Sequence, residues 1–598
     1  MLLRRRVLRS LAVVGALFAS AALLAQRLPA GPQVLTFFSD VDDSEQPYAL
    51  YLPKAFNPAK KYPLVISLHG AGSNHRLNLR RVFGKSNVVD ETDVEATRSF
   101  PAWRDVEYIV ASPLARGTMG FQGIAEKDVY DVLADVKKRF PIDEDRVYLT
   151  GLSMGGGGTF WLGLTRPDVW AAIAPVCPAP PAGSDQLAPN ALNVPVHIYQ
   201  GGDDPVVRPE GTRQFVKRLQ DLGTKVAYDE FPGVKHNSWE NAYKDGQIFT
   251  WFAKFRRNRF PDRVRFASTQ FKYDRAYWVT LDQLTPGTLA SIDAAFTAVN
   301  RLTVTTTNLG AFTLHLKGHP KLRAAGAIEI TIDGKALKVA VTSGNLSLSR
   351  RHGAQAALGI ETRDAAGALS FSRRDGSWVA ETYVAAADAK RKGAEGPIGE
   401  AIASRHIYVY GTLGNPTREE LAVRRELATR AADWSSATSR LLLSLRVVAD
   451  RDVRPSDLAA SNLVLFGTRQ TNSLIEKFAD RLPIELNAGA VGYGFVYTVP
   501  VNGHYVVVCS GLPWWTTPPA ATTAAAPGAA PASARRLRGR FMPGSAGALS
   551  GFEDYILFKD SLDAVIAEGR FDARWRLSAA DAEKMRATGA VTVKRAGT

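Results

Sequence analysis

The stretch around Ser153 has the residue types and spacing of an activated nucleophile. Residues 147–152 form an apolar, β-branched run, Ser153 follows within Gly-Leu-Ser-Met-Gly, and residues 159–165 are compatible with a helix. In such a turn between strand and helix the serine has strained backbone angles that leave its hydroxyl group exposed. A Cβ atom on Gly151 or Gly155 would collide with the neighbouring segment. The stretch therefore predicts a nucleophile elbow, whose chemistry is acyl transfer through serine.

Candidates for an acid and a base follow Ser153 in the chain. Residues 194–200 predict a buried strand that ends at Asp203 and Asp204, and His236 comes after the last predicted strand, residues 225–231. A carboxylate at the carboxyl end of a parallel strand can reach the rim of an active site. The alternative is that both aspartates only form a turn. The order serine, aspartate, histidine suits a triad in which the histidine is the base.

The elements that must position these residues have the pattern of an α/β protein. Residues 34–40 and 46–53 predict an edge hairpin, and residues 62–69 and 108–113 are unbroken apolar runs of the kind found in buried parallel strands. Residues 126–140 have apolar positions at helical spacing and lead into the strand that carries the serine. This order predicts a doubly wound, mostly parallel sheet.

The loop after the strand at 62–69 makes a family resemblance visible. It reads His69-Gly-Ala-Gly72, which resembles the oxyanion loop of α/β-hydrolases, and these enzymes share the chain order Ser, Asp, His. Residues 34–258 resemble the esterase, poly(hydroxybutyrate) depolymerase and feruloyl esterase branch of that superfamily, which is often labelled prolyl-oligopeptidase-like. The resemblance specifies the superfamily far better than the substrate.

The resemblance implies roles for further residues. The backbone N–H groups of Ala71 and Met154 would form the oxyanion hole. Asp204 fits the hydrolase pattern Gly-x-x-Asp-x-x-Val better than its neighbour does, and His69 would support its loop rather than act as the base. Trp239 would line the acyl or alcohol pocket, with a plain core position as the equal alternative.

The length of 598 residues predicts two to four domains. After the hydrolase-like residues 34–258, residues 260–385 contain short alternating strands and predict a β-rich module. Residues 400–598 predict a smaller C-terminal α/β unit. Within that unit an Ala/Pro-rich insert, residues 516–540, is expected to be disordered.

The N-terminus predicts export. Residues 1–26 combine Arg4, Arg5, Arg6 and Arg9 with an uncharged apolar segment, and the arginines approximate a twin-arginine signal. The apolar segment is short for a membrane span, so we expect a signal peptide, no stable span after its cleavage, and a periplasmic or extracellular protein. A retained anchor is the alternative.

Composition argues against several other functions. The net charge is +16, but the basic residues are scattered without interleaved aromatic residues, so no nucleic-acid partner is expected. No metal-ligand spacing is present, and no cofactor is expected. Cys177 and Cys509 are the only cysteines, and we expect them not to pair.

The function predicted from the sequence is that of an exported serine hydrolase acting on a small-molecule or polymeric ester. Two alternatives stay open: a serine peptidase of the prolyl-oligopeptidase type, and a non-catalytic binding protein built on a hydrolase fold. The complete set of Ser153, Asp204, His236 and oxyanion loop argues against the second alternative.

Overall fold

The computed structural model describes residues 28–323, 327–342, 345–348, 368–435, 441–517 and 544–594. The predicted signal peptide at 1–26 and nearly all of the predicted insert at 516–540 lie outside these residues. The chain divides into two compact units. Unit 1 holds the residues up to Ser39 together with 43–184 and 193–258, and unit 2 holds 40–42, 185–192 and the residues from 259 onward. No helix in the described ranges is long and apolar enough to cross a membrane. Cys177 and Cys509 are both free and buried.

Unit 1 is built on one eight-stranded sheet. Its strands are β1 (Gly31–Ser39), β2 (Ser44–Leu52), β3 (Tyr62–Leu68), β4 (Ile109–Pro113), β5 (Ile142–Leu152), β6 (Ala172–Val176), β7 (Val196–Gly201) and β8 (Val226–Phe231). Its helices are α1 (His75–Val82), α2 (Asp93–Ala96), α3 (Ile124–Arg139), α4 (Met154–Thr165), α5 (Pro209–Asp221), α6 (Trp239–Ala242) and α7 (Gln247–Phe252).

The strand order is β1-β2-β4-β3-β5-β6-β7-β8. The hairpin of β1 and β2 lies at one edge and pairs antiparallel with β4, whereas β3 to β8 pair in parallel. Every residue of β3, β4 and β6 is buried, as their continuous apolar sequences predict. The predicted α/β-hydrolase sheet is therefore present, and the carboxyl ends of β3, β5 and β7 lie at the same edge of it.

Unit 2 begins with two antiparallel-rich sheets. One has the order β10-β11-β14-β18-β19 and the other β17-β16-β15-β13-β12-β9. These strands are β9 (Arg263–Ser268), β10 (Arg275–Ala276), β11 (Val279–Leu284), β12 (Ala290–Ala298), β13 (Arg301–Thr307), β14 (Leu309–His315), β15 (Ala327–Ile332), β16 (Lys335–Thr342), β17 (Asn345–Leu348), β18 (Ala368–Arg374) and β19 (Ser377–Val379). A shared core that includes Trp278, Phe312 and Phe371 packs between them.

The rest of unit 2 is a seven-stranded mixed sheet of order β21-β20-β22-β25-β24-β26-β27 and a small sheet of β23 and β28. The strands are β20 (His406–Tyr410), β21 (Val447–Ala449), β22 (Asn462–Phe466), β23 (Ile484–Leu486), β24 (Tyr493–Val501), β25 (His504–Gly511), β26 (Tyr555–Lys559), β27 (Val565–Gly569) and β28 (Val591–Val593). The helices are α8 (Ile398–Ala401), α9 (Arg418–Ala432), α10 (Pro455–Ala460), α11 (Ser473–Phe478), α12 (Gly544–Gly551) and α13 (Ala579–Ala587).

The polar segment between these parts, residues 386–400, is anchored by buried charges. Lys390 forms an ion pair with Asp554, and both side chains are buried. The carboxylate of Glu395 accepts hydrogen bonds from the backbone N–H groups of Phe271 (2.5 Å) and Lys272 (2.7 Å). Burial raises the pKa of Glu395 to about 8. The segment is therefore a packed part of unit 2.

Candidate active site

Ser153 lies in the sharp turn between β5 and α4. Its φ and ψ angles are 55° and −114°, a conformation that a non-glycine residue seldom adopts. A Cβ atom on Gly151 would lie 2.4 Å from the carbonyl oxygen of Gly155, and one on Gly155 would lie 2.2 Å from that of Leu68. Glycine is therefore required on both sides of the serine, as the sequence predicts. Helix α4 begins at Met154, five residues earlier than the helical pattern predicts.

The three predicted triad residues form one hydrogen-bonded chain. Nε2 of His236 lies 2.9 Å from Oγ of Ser153, and Nδ1 lies 2.8 Å from Oδ2 of Asp204. With the proton on Nδ1, the imidazole donates to the carboxylate and accepts from the serine hydroxyl group. This arrangement can remove the serine proton during attack on a carbonyl carbon.

Asp204 is held in place by four donors. Its Oδ1 accepts from the backbone N–H groups of Val206 (2.8 Å) and Val207 (2.9 Å). Its Oδ2 accepts from the amide of Gln200 (3.1 Å) as well as from His236. Asp204 is 3% exposed, so this hydrogen bonding replaces solvation by water. The carboxylate that contacts the imidazole is thus that of Asp204, the predicted acid.

The loop after β3 packs against the elbow. A Cβ atom on Gly70 would lie 2.7 Å from a methyl carbon of Leu152 and 3.6 Å from Cβ of Ser153. Ala71, the next residue, is exposed, and Met154 is the first residue of α4, where backbone N–H groups have no intrahelical acceptor. The chain thus brings the loop that carries the Ala71 N–H group to the turn that carries the Met154 N–H group.

His69 is fully buried and supports this loop. Its two ring nitrogens lie 2.8 Å from the carbonyl oxygens of Gly70 and Leu114, and its ring contacts Phe121 edge to face. Burial lowers the pKa of His69, whereas its contacts with the two carbonyl groups act to raise it. A ring held by two backbone carbonyl groups has the supporting position that the sequence predicts.

Trp239 borders the candidate base. Its ring meets the imidazole of His236 edge to face at a centroid distance of 5.7 Å, and the guanidinium carbon of Arg81 lies 5.2 Å from the ring centroid. Trp239 is half-buried and also packs against the core. Trp239 therefore lies beside the candidate base and also against the core, which are the two positions that the sequence predicts as alternatives.

Two residues near the triad carry no motif that would mark them in the sequence. Gln200 is fully buried, donates to Asp204 and to the carbonyl oxygen of Val207 (2.9 Å), and accepts from the hydroxyl group of Thr212 (3.1 Å). The one sequence signal for Gln200 is that a polar residue stands at the end of an apolar strand. Cys177 follows β6 at a φ angle of 35°.

The ligand atoms of Cys177, Asp204 and His236 lie within 4.8 Å of one another, the one such group among the described residues. A divalent metal would require a thiolate, a free imidazole nitrogen and a free carboxylate oxygen. Burial raises the pKa of the Cys177 thiol to about 12, and the other two groups are bonded to each other. The group therefore fits a triad better than a metal site.

Comparison with known proteins agrees with the resemblance seen in the motifs. Residues 56–251 match the sequence profile of the phospholipase/carboxylesterase family of α/β-hydrolases. This match supports an α/β-hydrolase of the esterase branch in this segment.

A curated relative is a bifunctional acetylxylan esterase/xylanase of Neocallimastix patriciarum, 28% identical over 176 residues. The match covers 29% of this chain and 23% of the relative, so the chain spans less than a quarter of that protein. Among solved structures, a thermostable esterase is 27% identical, with 38% of this chain and 63% of that chain covered and a TM-score of 0.30. A ferulic acid esterase is 21% identical, with 38% and 98% covered and a TM-score of 0.31.

Proposed function

We propose that this protein is an exported serine hydrolase that cleaves carboxylic esters. The observation that carries the proposal is the unbroken hydrogen-bonded chain from Ser153 through His236 to Asp204, with contacts of 2.9 and 2.8 Å. The match of residues 56–251 to a carboxylesterase family supports the choice of an ester over another acyl compound. Export rests on the sequence of residues 1–26.

In the proposed reaction Ser153 attacks the acyl carbon while His236 removes its proton. His236 then protonates the departing alcohol, which leaves an acyl-enzyme, and water releases the acid by the same steps in reverse order. Asp204 holds the imidazole in the tautomer that accepts from serine and stabilises the imidazolium ion. No step requires a cofactor.

The N–H groups of Ala71 and Met154 are proposed to bind the oxyanion of the tetrahedral intermediate. Each such donor typically contributes about 3–4 kcal/mol to the stabilisation of the transition state. The packing of Gly70 against Leu152 and Ser153 supports this assignment, because it fixes the loop beside the elbow.

The proposed substrate class is an acyl ester of an alcohol, small or carried on a polymer. The acetylxylan esterase activity in the name of the fungal relative supports a short acyl group on a saccharide. We further propose that residues 34–258 perform the chemistry, with Trp239 in the wall of the acyl or alcohol pocket. The β-rich module (260–385) and the C-terminal unit (400–598) would shape the site or hold it near a polymer.

The test is the ratio of two activities of the purified mature chain. We expect turnover of p-nitrophenyl acetate and none of a proline-containing peptide p-nitroanilide, both measured by release of the chromophore. Preferential cleavage of the peptide would replace the esterase by the serine peptidase. A folded chain inert toward both substrates and toward a fluorophosphonate probe would support the non-catalytic binding protein.

A further inference from the structure

Unit 2 contains a surface cleft of about 190 Å³ whose rim is rich in arginine. Arg391, Arg481 and Arg574 line it, and all three are exposed. The remaining wall includes Asp388, Asn502 and Trp575. We call this feature the arginine cleft. Its three cations come from three separate segments of the chain, so their meeting is a property of the fold.

None of the three arginines forms an ion pair with a carboxylate in the described part of the chain. Arg391 donates to the carbonyl oxygen of Ala387 (2.8 Å), and Arg481 donates to the side-chain oxygen of Asn502. A guanidinium group has five N–H donors, so most donors of the cleft stay available to a ligand.

Two carboxylates in the segments that support the cleft, Asp572 and Asp554, are paired with other cations. Asp572 forms an ion pair with Arg576 at 2.8 Å. Asp554, whose carboxylate accepts from the N–H of Phe571, pairs with Lys390. Asp388 is the one acidic residue in the wall of the cleft. The local charge balance thus favours an anion.

The walls of the arginine cleft are fixed by packing beneath the exposed charges. The backbone N–H of Lys390 donates to the carbonyl oxygen of Ala573 (2.8 Å), which ties the two segments that carry Arg391 and Arg574. The ammonium group of Lys390 lies 4.7 Å from the ring centroid of Trp575. Trp575 has a φ angle of 58°, an uncommon conformation for a bulky residue that often occurs at ligand sites.

We propose that the arginine cleft binds an oxyanion, the carboxylate or phosphate group of a small molecule or of a polymer residue. Guanidinium groups bind both anions through paired N–H donors. The volume corresponds to roughly six water molecules, which admits one sugar-sized group. This site lies in unit 2 alone and does not depend on the proposed esterase activity.

The test is a binding titration of the full mature chain by calorimetry with glucuronate, inorganic phosphate and glucose. We expect saturable binding of one or both anions, weakened by added salt, and none of neutral glucose. Glucuronate alone would identify a carboxylate source, and phosphate alone a phosphate source. Absence of saturable binding of both anions would overturn the proposal, as would equal binding of glucose.

Variants of single arginines test whether the anion binds in the arginine cleft. Arg481→Gln and Arg574→Gln should each weaken anion binding by about threefold to tenfold, the effect of losing one charge-assisted contact. Arg425→Gln is the matched control, because Arg425 is an exposed arginine on α9 of the same unit and does not line the cleft. Equal effects of all three variants, at unchanged melting temperature, would show nonspecific attraction and refute the site.

Discussion

Replacement of Asp204 by asparagine tests how the candidate acid controls the tautomer of His236. The two oxygens of Asp204 together accept from His236, Gln200, and the N–H groups of Val206 and Val207. An asparagine has one oxygen and one NH₂ group. In either orientation of the amide, the NH₂ group meets two donors, so it cannot reproduce the pattern.

With the amide NH₂ group facing His236, the imidazole must present an unprotonated Nδ1 and carry its proton on Nε2. That tautomer cannot accept the proton of Ser153, so we expect kcat to fall by about 10²–10⁴. With the amide turned round, the N–H groups of Val206 and Val207 lose their acceptor. Loss of these buried hydrogen bonds should cost about 1–3 kcal/mol of the free energy of unfolding.

Asp203→Asn is the matched control, because Asp203 has the same chemistry one position away and no side-chain bond to His236. We expect it to keep kcat within about threefold. The assay is kcat and KM on p-nitrophenyl acetate across a pH series, with urea unfolding of each variant. Equal losses in the two variants, or a larger loss in Asp203→Asn, would refute the assignment of the acid.

Three further changes test the positioning of the site. Gln200→Leu should lower kcat by about tenfold at little change in KM, because it removes one donor to Asp204. Gln200→Glu should shift the pH profile of kcat. An unchanged kcat in Gln200→Leu would exclude a role of Gln200 in positioning Asp204. Gly155→Ala should prevent soluble folding or lower the melting temperature sharply, because its Cβ would overlap the Leu68 carbonyl group; a stable, active variant would contradict the elbow geometry. A soluble fragment 27–259 should hydrolyse small esters at nearly the rate of the full-length chain and lose much of its activity on a polymer. A folded fragment that is inert on small esters would mean that residues after 259 complete the site.

The sequence predicts the hydrolase sheet well because buried parallel strands have continuous apolar sequences. It misplaces the start of α4, since glycines at residues 155–158 have low helix propensity and hide the helical pattern. These glycines instead allow α4 to lie close to neighbouring backbone. A Cβ atom on Gly156 would lie 2.4 Å from the carbonyl oxygen of Val176, and one on Gly157 would lie 2.0 Å from that of Ala179. Tertiary packing therefore outweighs local propensity at this position.

The residues of the candidate site also differ in how well the sequence predicts them. Ser153, Asp204 and His236 are predictable because each follows a strand and has a motif or an order that marks it. The role of Gln200 is not predictable, because its partners lie in the loop and helix after β7 and meet it only in the folded chain. The buried pair of Lys390 and Asp554 is separated by 164 residues, so the sequence around either residue gives no sign of the other.

In the proposed reaction Ser153 carries the acyl group. The most direct measurement is the steady-state turnover of p-nitrophenyl acetate by the mature chain and by Ser153→Ala, with circular dichroism to show that both are folded. The proposed role of Ser153 predicts a loss of about a thousandfold or more in kcat, because the variant lacks the hydroxyl group that would form the acyl-enzyme. A folded Ser153→Ala variant that keeps a tenth or more of the wild-type kcat would contradict it.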